Sequence, residues 1–369
     1  MNKKLLVLSL LCATAGLAQA QSAITIYGTL DTGYIKEGGT DVRMGDNATS
    51  TLGFKGVEDI GGGNKVTFDL ARQFMAHDGS PQDYFADDLI HQRLSGGRGP
   101  AEWHAAANVG LKGHWGAVRF GRISDLVTDN YSPFDPFEQG STATTLSKLS
   151  RVRSEQQSNN VRYDSPEWGG LSFNASFTLS ADDHSALANT SQIYNHGFAG
   201  GVVFDNEALQ LTANYSRQAD SNDSYIWNVG AAYKFGPVRI SAGYQQSRLK
   251  NLGALADRAT LNDDLMLDAI KQSEWLVGLT WDVGPGVFKL SYNRGKIQGR
   301  EDVNPGEDAN GDANKYAVGY TYNLSKRTAI YSAASYTDSD NKYVGSVYNN
   351  NAAEKEKVFG LQLGMTHTF

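Results

Sequence analysis

Between residue 24 and the last residue, 369, segment after segment alternates apolar and polar side chains with a period of two. Two is the repeat of a β-strand, whose side chains point to opposite faces in turn. In the first segment, 24–35, Ile26, Gly28, Leu30 and Tyr34 share one face, and Tyr27, Thr29 and Asp31 share the other. Similar segments follow at 51–58, 64–74, 102–113 and 116–123. After a long interruption they resume at 160–164, 170–180, 197–205, 208–218 and 225–235. The last six lie at 238–249, 274–283, 286–297, 315–324, 328–337 and 357–369. That makes sixteen candidate strands, a count loose by about two because a single sequence marks strand ends poorly. One stretch departs from the rhythm: 258–270 has helical spacing at Leu261, Leu265 and Ala269 and reads as a short outer helix.

A soluble sandwich shows the same alternation, so further signals are needed. The segments approach the 9–11 residues that a tilted strand needs to cross a bilayer. Rings gather near their ends, at Tyr34, Phe74, Trp103, Phe120, Tyr163, Tyr244, Tyr292, Tyr322 and Phe369, where a headgroup boundary favours them. One face of 225–235 reads Trp227, Val229, Ala231, Tyr233, Phe235; the other reads Ile226, Asn228, Gly230, Ala232, Lys234. Connections alternate between short (59–63, 236–237, 284–285) and long (75–101, 124–159, 250–273), as in a barrel inserted from one side. Hydrocarbon cannot satisfy an unpaired sheet edge, so such strands must close into a ring, and the first and last strands should pair. The fold class read from the residues is therefore all-β: a transmembrane antiparallel β-barrel of sixteen strands. The 39 aromatic residues exclude a disordered chain, and no run past residue 20 reaches the ~18 apolar residues of a membrane helix.

Residues 1–20 carry Lys3 and Lys4, an apolar stretch from Leu5 to Leu11 and a small-x-small end at Ala18-Gln19-Ala20. This is the pattern of a secretory signal peptide cut before Gln21, leaving 21–369 as a single barrel domain. The one cysteine, Cys12, lies inside it, and Leu11 is too bulky for the usual lipobox. The mature chain then has no disulfide, thiol nucleophile or Cys-ligated metal. Without Lys3 and Lys4 it has 31 basic and 40 acidic side chains, a poor balance for binding nucleic acid. No H-E-x-x-H, Walker loop or G-x-S-x-G is present, and the seven histidines lack metal-ligand spacing. The reading is a non-enzyme without cofactors. A barrel hydrolase, needing a convergent triad, and a soluble adhesin are the remote alternatives.

Across its whole length the chain resembles the Gram-negative general porins, particularly the beta-proteobacterial branch. The likeness is carried by ITIYGTLDTGY after the signal, LGFKGVEDIGGG, the VGL and FGR strands, NNVRYDSPEWGG, YNLSKRT and the terminal Phe369. It implies a homotrimer of sixteen-stranded barrels in outer-membrane lipid, each with its third external loop folded into the lumen. It also implies that Phe369 is read by the outer-membrane barrel assembly machinery. The expected function is a water-filled pore for passive diffusion of ions and small hydrophilic solutes. A channel selective for small organic anions or sugars is the alternative.

The longest gap, 124–159, contains Ser132-Pro133-Phe134-Asp135-Pro136-Phe137-Glu138-Gln139-Gly140, a turn with two rings to anchor it. It stands where these porins carry a Pro-Glu-Phe-Gly-type motif, so 124–159 is expected to be the constriction loop. Its acidic candidates are Asp125, Asp129, Asp135 and Glu138, and the sequence leaves open which of them face water. Alternation points Lys55, Arg119 and Arg162 inward as the opposing basic wall, with Asp31, Asp69 and Asp282 inward as well. Arg122 shares the parity of Phe120, but the family pattern of a pore arginine after Phe-Gly implies that the alternation breaks there. Arg151 and Arg153 are candidates for the loop's return. Relatives often carry Arg where Thr51 stands, and another in the strand reading 103-WHAAANVGL-111 here. The expected selectivity is therefore weak or mixed.

Overall fold

The computed structural model describes residues 23–81, 102–138, 140–143, 156–179, 196–217, 224–250, 269–298, 310–340 and 355–369. The expected signal peptide lies outside the described residues. The strands begin with β1 (Ala23–Glu37), β2 (Arg43–Gly45), β3 (Ser50–Gly61), β4 (Asn64–Phe74), β5 (Ala106–Gly113) and β6 (Gly116–Ser124). After a short helix, α1 (Leu126–Tyr131), come β7 (Gln156–Asp164), β8 (Leu171–Thr178), β9 (Gly197–Asp205), β10 (Leu209–Arg217) and β11 (Tyr225–Phe235). The remainder are β12 (Val238–Lys250), β13 (Ala269–Val283), β14 (Gly286–Gln298), β15 (Gly311–Asn323), β16 (Thr328–Ser339) and β17 (Lys357–Thr368). Ala269 and Ile270, expected to end an outer helix, instead open β13; 258–268 lie outside the described residues.

Every neighbouring pair is antiparallel, and β17 returns to β1 to close the sheet. Sixteen strands are the staves of the barrel. The three-residue β2 completes one of them: β1 pairs with β3 from Ala23 to Thr29 and with β2 from Gly33 to Ile35. At the seam, Phe369 N–H donates to the Gly28 carbonyl at 3.0 Å, and Gly28 N–H donates back at 3.2 Å. Short turns follow their chemistry. At Gly236-Pro237 the glycine takes φ +57°, and proline follows at a position that needs no ladder donor.

The period of two now has a physical meaning. One face exposes large apolar side chains, among them Ile26, Tyr34, Leu211, Tyr233, Trp275 (61% exposed) and Leu363 (55%). Each would forgo about 1.5–3 kcal/mol by standing in water, so a band of them calls for lipid. Rings pair along its long-loop edge: Tyr244 and Trp275 are register partners 4.5 Å apart, and Tyr292 and Tyr316 are 5.1 Å apart. The alternate face is polar and small, with Asn214, Asn228, Ser241, Gln245, Ser291 and Ser335 buried on it. Buried apolar clusters form where segment 125–143 meets that face. Leu126 and Val127 pack with Ala199 and Ile226, Tyr131 and Phe134 with Ala232 and Leu276, and Phe137 and Ala143 with Ala317 and Ala333.

Candidate functional site

Segment 125–143 leaves the sheet through a bulge. The β6–β7 register slips between Gly121 and Ile123, with Gly121 at φ +127° and Asn159 at φ +53°. A bulge re-aims the side chains beside it. Arg122 sits within that slip, and its guanidinium donates to Ser158 Oγ at 2.7 Å and to the His104 carbonyl. The chain then forms α1, whose six residues are too few to be helical alone. Burial of Leu126, Val127 and Tyr131 supplies the missing stability. Ser132–Phe134 follows as a tight 3-10 turn with proline in its first turn. Asp135 ends it, its carboxylate accepting Phe137 N–H at 2.8 Å. Further ties run to the wall: Ser241 Oγ donates to the Phe134 carbonyl at 2.6 Å, and Asn228 Nδ2 to the Val127 carbonyl at 3.3 Å.

The charged candidates divide into two groups. Arg119 and Arg162 are register partners across β6 and β7, an arrangement that repels unless compensated. Asp164 sits between them, accepting from Arg119 at 2.8 Å and from Arg162 Nε at 2.9 Å. Arg162 also donates to Asp129 at 2.6 Å and to the Ser124 carbonyl at 3.1 Å, linking the wall to α1. These four residues carry two charges of each sign. Lys55 is exposed, its ammonium 4.8 Å from the Tyr27 ring centroid, and Tyr27 donates to Asp69 at 2.6 Å.

Three acidic candidates are buried: Asp31 (1% exposed), Asp125 (2%) and Asp135 (3%). Asp31 lies beside the break between β2 and β3, accepting Tyr331 O–H at 2.6 Å and Asn47 N–H at 2.8 Å. It builds wall. Asp135 builds a turn. Asp129 and Glu138 are exposed, as is Asp282. Arg151, Arg153 and Gln139 lie outside the described residues.

The structure adds two cations that sequence reasoning passed over. An open cavity of about 700 Å³ lies between 132–138 and strands β12–β15, bordered by Glu138, Arg239 and Lys289. Lys289 stands 3.8 Å from Glu138, and Arg239 gives two N–H donors to Gln210 at 2.7 and 3.2 Å. Their parity with Ser241 and Ser291 was the available signal.

A closed ring of staves, apolar on one face and polar on the other, defines a membrane-spanning channel. The chain matches the family model described as Gram-negative porin over residues 7–342, and it belongs to that family. It is 27% identical to outer membrane porin protein 32 of Delftia acidovorans, with all of both chains covered. It is also 27% identical to an outer membrane porin protein of Bordetella pertussis, over 91% of this chain and 94% of that one. Among solved structures, the anion-selective porin from Comamonas acidovorans superposes with a TM-score of 0.71 at 22% identity, covering 94% of this chain and all of the other. The protein is thus an outer-membrane porin, homologous to beta-proteobacterial porins and crossing the membrane by its strands. It is a passive diffusion channel and not an enzyme.

Proposed function

We propose that segment 124–159 folds into the lumen and narrows a water path that carries ions and small hydrophilic solutes with modest charge selectivity. The contact of 125–143 with polar-face residues from β8 round to β17 supports this reading most directly. The water path then runs between the segment and the arc of β3–β7, past Lys55, Arg119, Arg122 and Arg162 and the exposed Asp129. Guanidinium holds its charge in such crowding, but Asp129 and Asp164 offset much of it, so selectivity is weak or mixed. The chain is secreted through cleavage after residue 20, recognised through Phe369 by the barrel assembly machinery, and assembled as a homotrimer.

Reversal potential in a salt gradient across a planar bilayer tests the wall. Replacing Arg119 and Arg162 together with glutamine should move selectivity toward cations by about twofold in permeability ratio; an unchanged ratio rejects their role. A heat-sensitive trimer band on a denaturing gel tests assembly. The cavity lined by Arg239 and Lys289 together with Asp135 and Glu138 supports a second reading, a channel selective for sugars or small organic anions. Flux that saturates with such a solute supports it, and linear permeation supports general diffusion.

A further inference from the structure

Rows of register partners cross the polar face of the wall from strand to strand. One runs Asn174, Gly201, Asn214, Asn228, Gln245 from β8 to β12. Its amides bond sideways, Asn214 to Asn228 at 2.7 Å and Asn228 to Gln245 at 3.3 Å. Gly201 leaves one rung bare, and Asn130 of α1 supplies it. Asn130 Nδ2 donates to Asn214 at 2.6 Å and to Asn174 at 3.1 Å, and its Oδ1 accepts from Asn174 at 3.1 Å. Further round the barrel, Ser335, Gly360 and Glu37 are consecutive partners in another row. There Thr142 fills the bare position, donating to Glu37 at 3.1 Å and lying 3.2 Å from Ser335 Oγ.

Between these two ends, rings of the segment lie over further glycines. A methyl group placed on Gly230 would stand 2.8 Å from the Phe134 ring, whose atoms are all three of its nearest neighbours. Tyr131 covers Gly243, Pro136 covers Gly278 and Phe137 covers Gly319. None of these glycines has a left-handed backbone, so no turn calls for them. Within a strand each costs about 0.5–1 kcal/mol relative to alanine. What they offer is space.

We propose that Gly201, Gly230, Gly243, Gly278, Gly319 and Gly360 are positioning residues of the channel, bare sites on the wall into which segment 130–142 is keyed and which thereby set the width of the water path. This rests on the reading that the segment lies in the lumen.

Single-channel conductance of the full chain in planar bilayers tests the proposal as a cycle. Gly230→Ala pushes the Phe134 ring off the wall and should lower conductance by about a quarter. In a Phe134→Ala background the same substitution should do nothing, because the ring that it displaces is gone. Gly200→Ala, at a glycine with nothing within 4 Å, should be silent in both. A merely structural role would weaken the barrel without this dependence on Phe134. Unchanged or raised conductance for Gly230→Ala, or an equal fall in both backgrounds, overturns the proposal. Gly243→Ala against Tyr131→Ala repeats the cycle if the Gly230 variant fails to give the heat-modifiable band. If Phe134→Ala alone leaves conductance unchanged, the placement of the segment in the lumen fails, and the keyed-wall proposal fails with it.

Discussion

The two arcs of the wall solve different problems. From β8 to β17 most residues that meet segment 125–143 are glycine, alanine, serine, asparagine and the aliphatic Ile226 and Leu276, joined by two cations, Lys289 at 3.8 Å from Glu138 and Arg239 at 5.8 Å from the Phe134 ring centroid. From β3 to β7 the same face carries Lys55, Asp69, Arg119, Arg162 and Asp164. A segment can settle only where the wall gives up water cheaply, because stripping a charge of solvent costs several kcal/mol, whereas small neutral groups cost little once hydrogen-bonded. On the charged arc Lys55 is exposed, while Arg162 is 5% exposed and is neutralised by Asp164 and by Asp129 of the segment. Mostly neutral surface holds the segment, and where the segment meets a wall cation it brings a carboxylate to it.

The strongest way to break this contrast is to empty the neutral arc. Tyr131→Ala with Phe134→Ala removes two buried rings, at about 3–5 kcal/mol each for residues of this kind. Conductance should rise about twofold, with barrel migration on a gel unchanged; an unaltered conductance would show that the packing does not hold the segment. A smaller effect is expected from Asp129→Asn, which leaves Arg162 with Asp164 as its carboxylate partner among the described residues. Reversal potential should then move toward anions, by about a factor of two in permeability ratio, opposite in sign to the arginine replacements. The smallest effect on transport belongs to Asp31→Asn. It should lower the temperature at which the barrel unfolds, by about 1–3 kcal/mol in stability, with no shift in selectivity. Any shift would return Asp31 to the water-facing set.

Much of the fold was legible in the residues, because a barrel in lipid forces the alternation to be nearly perfect. Segment 64–74 coincides with β4, and 225–235 with β11. The pairing of first and last strands followed from the impossibility of a bare edge in hydrocarbon. Misreadings occurred where the period fails. The six residues of α1 show no sustained pattern, since their helix is made by its surroundings. Ala269 shared a helical spacing by coincidence and lies in a strand. At the site, parity placed Arg119 and Arg162 on the polar face, but not the carboxylates that neutralise them, since Asp129 and Arg162 meet only after the segment folds back. Asp31 has the right parity for a pore residue, but parity could not show its burial or the hydrogen bond that it accepts from Tyr331, some three hundred positions later.

The seam joining Gly28 to Phe369 has a consequence for biogenesis. The hydrogen bonds that finish the ring join Gly28 to Phe369, and β1 pairs with β17, so a chain that lacks β17 leaves its circumference open. Until β17 is in place, the β1 edge that it covers is open and invites pairing with other polypeptides. Closure of the ring therefore waits on the strand that lies farthest from β1 in sequence.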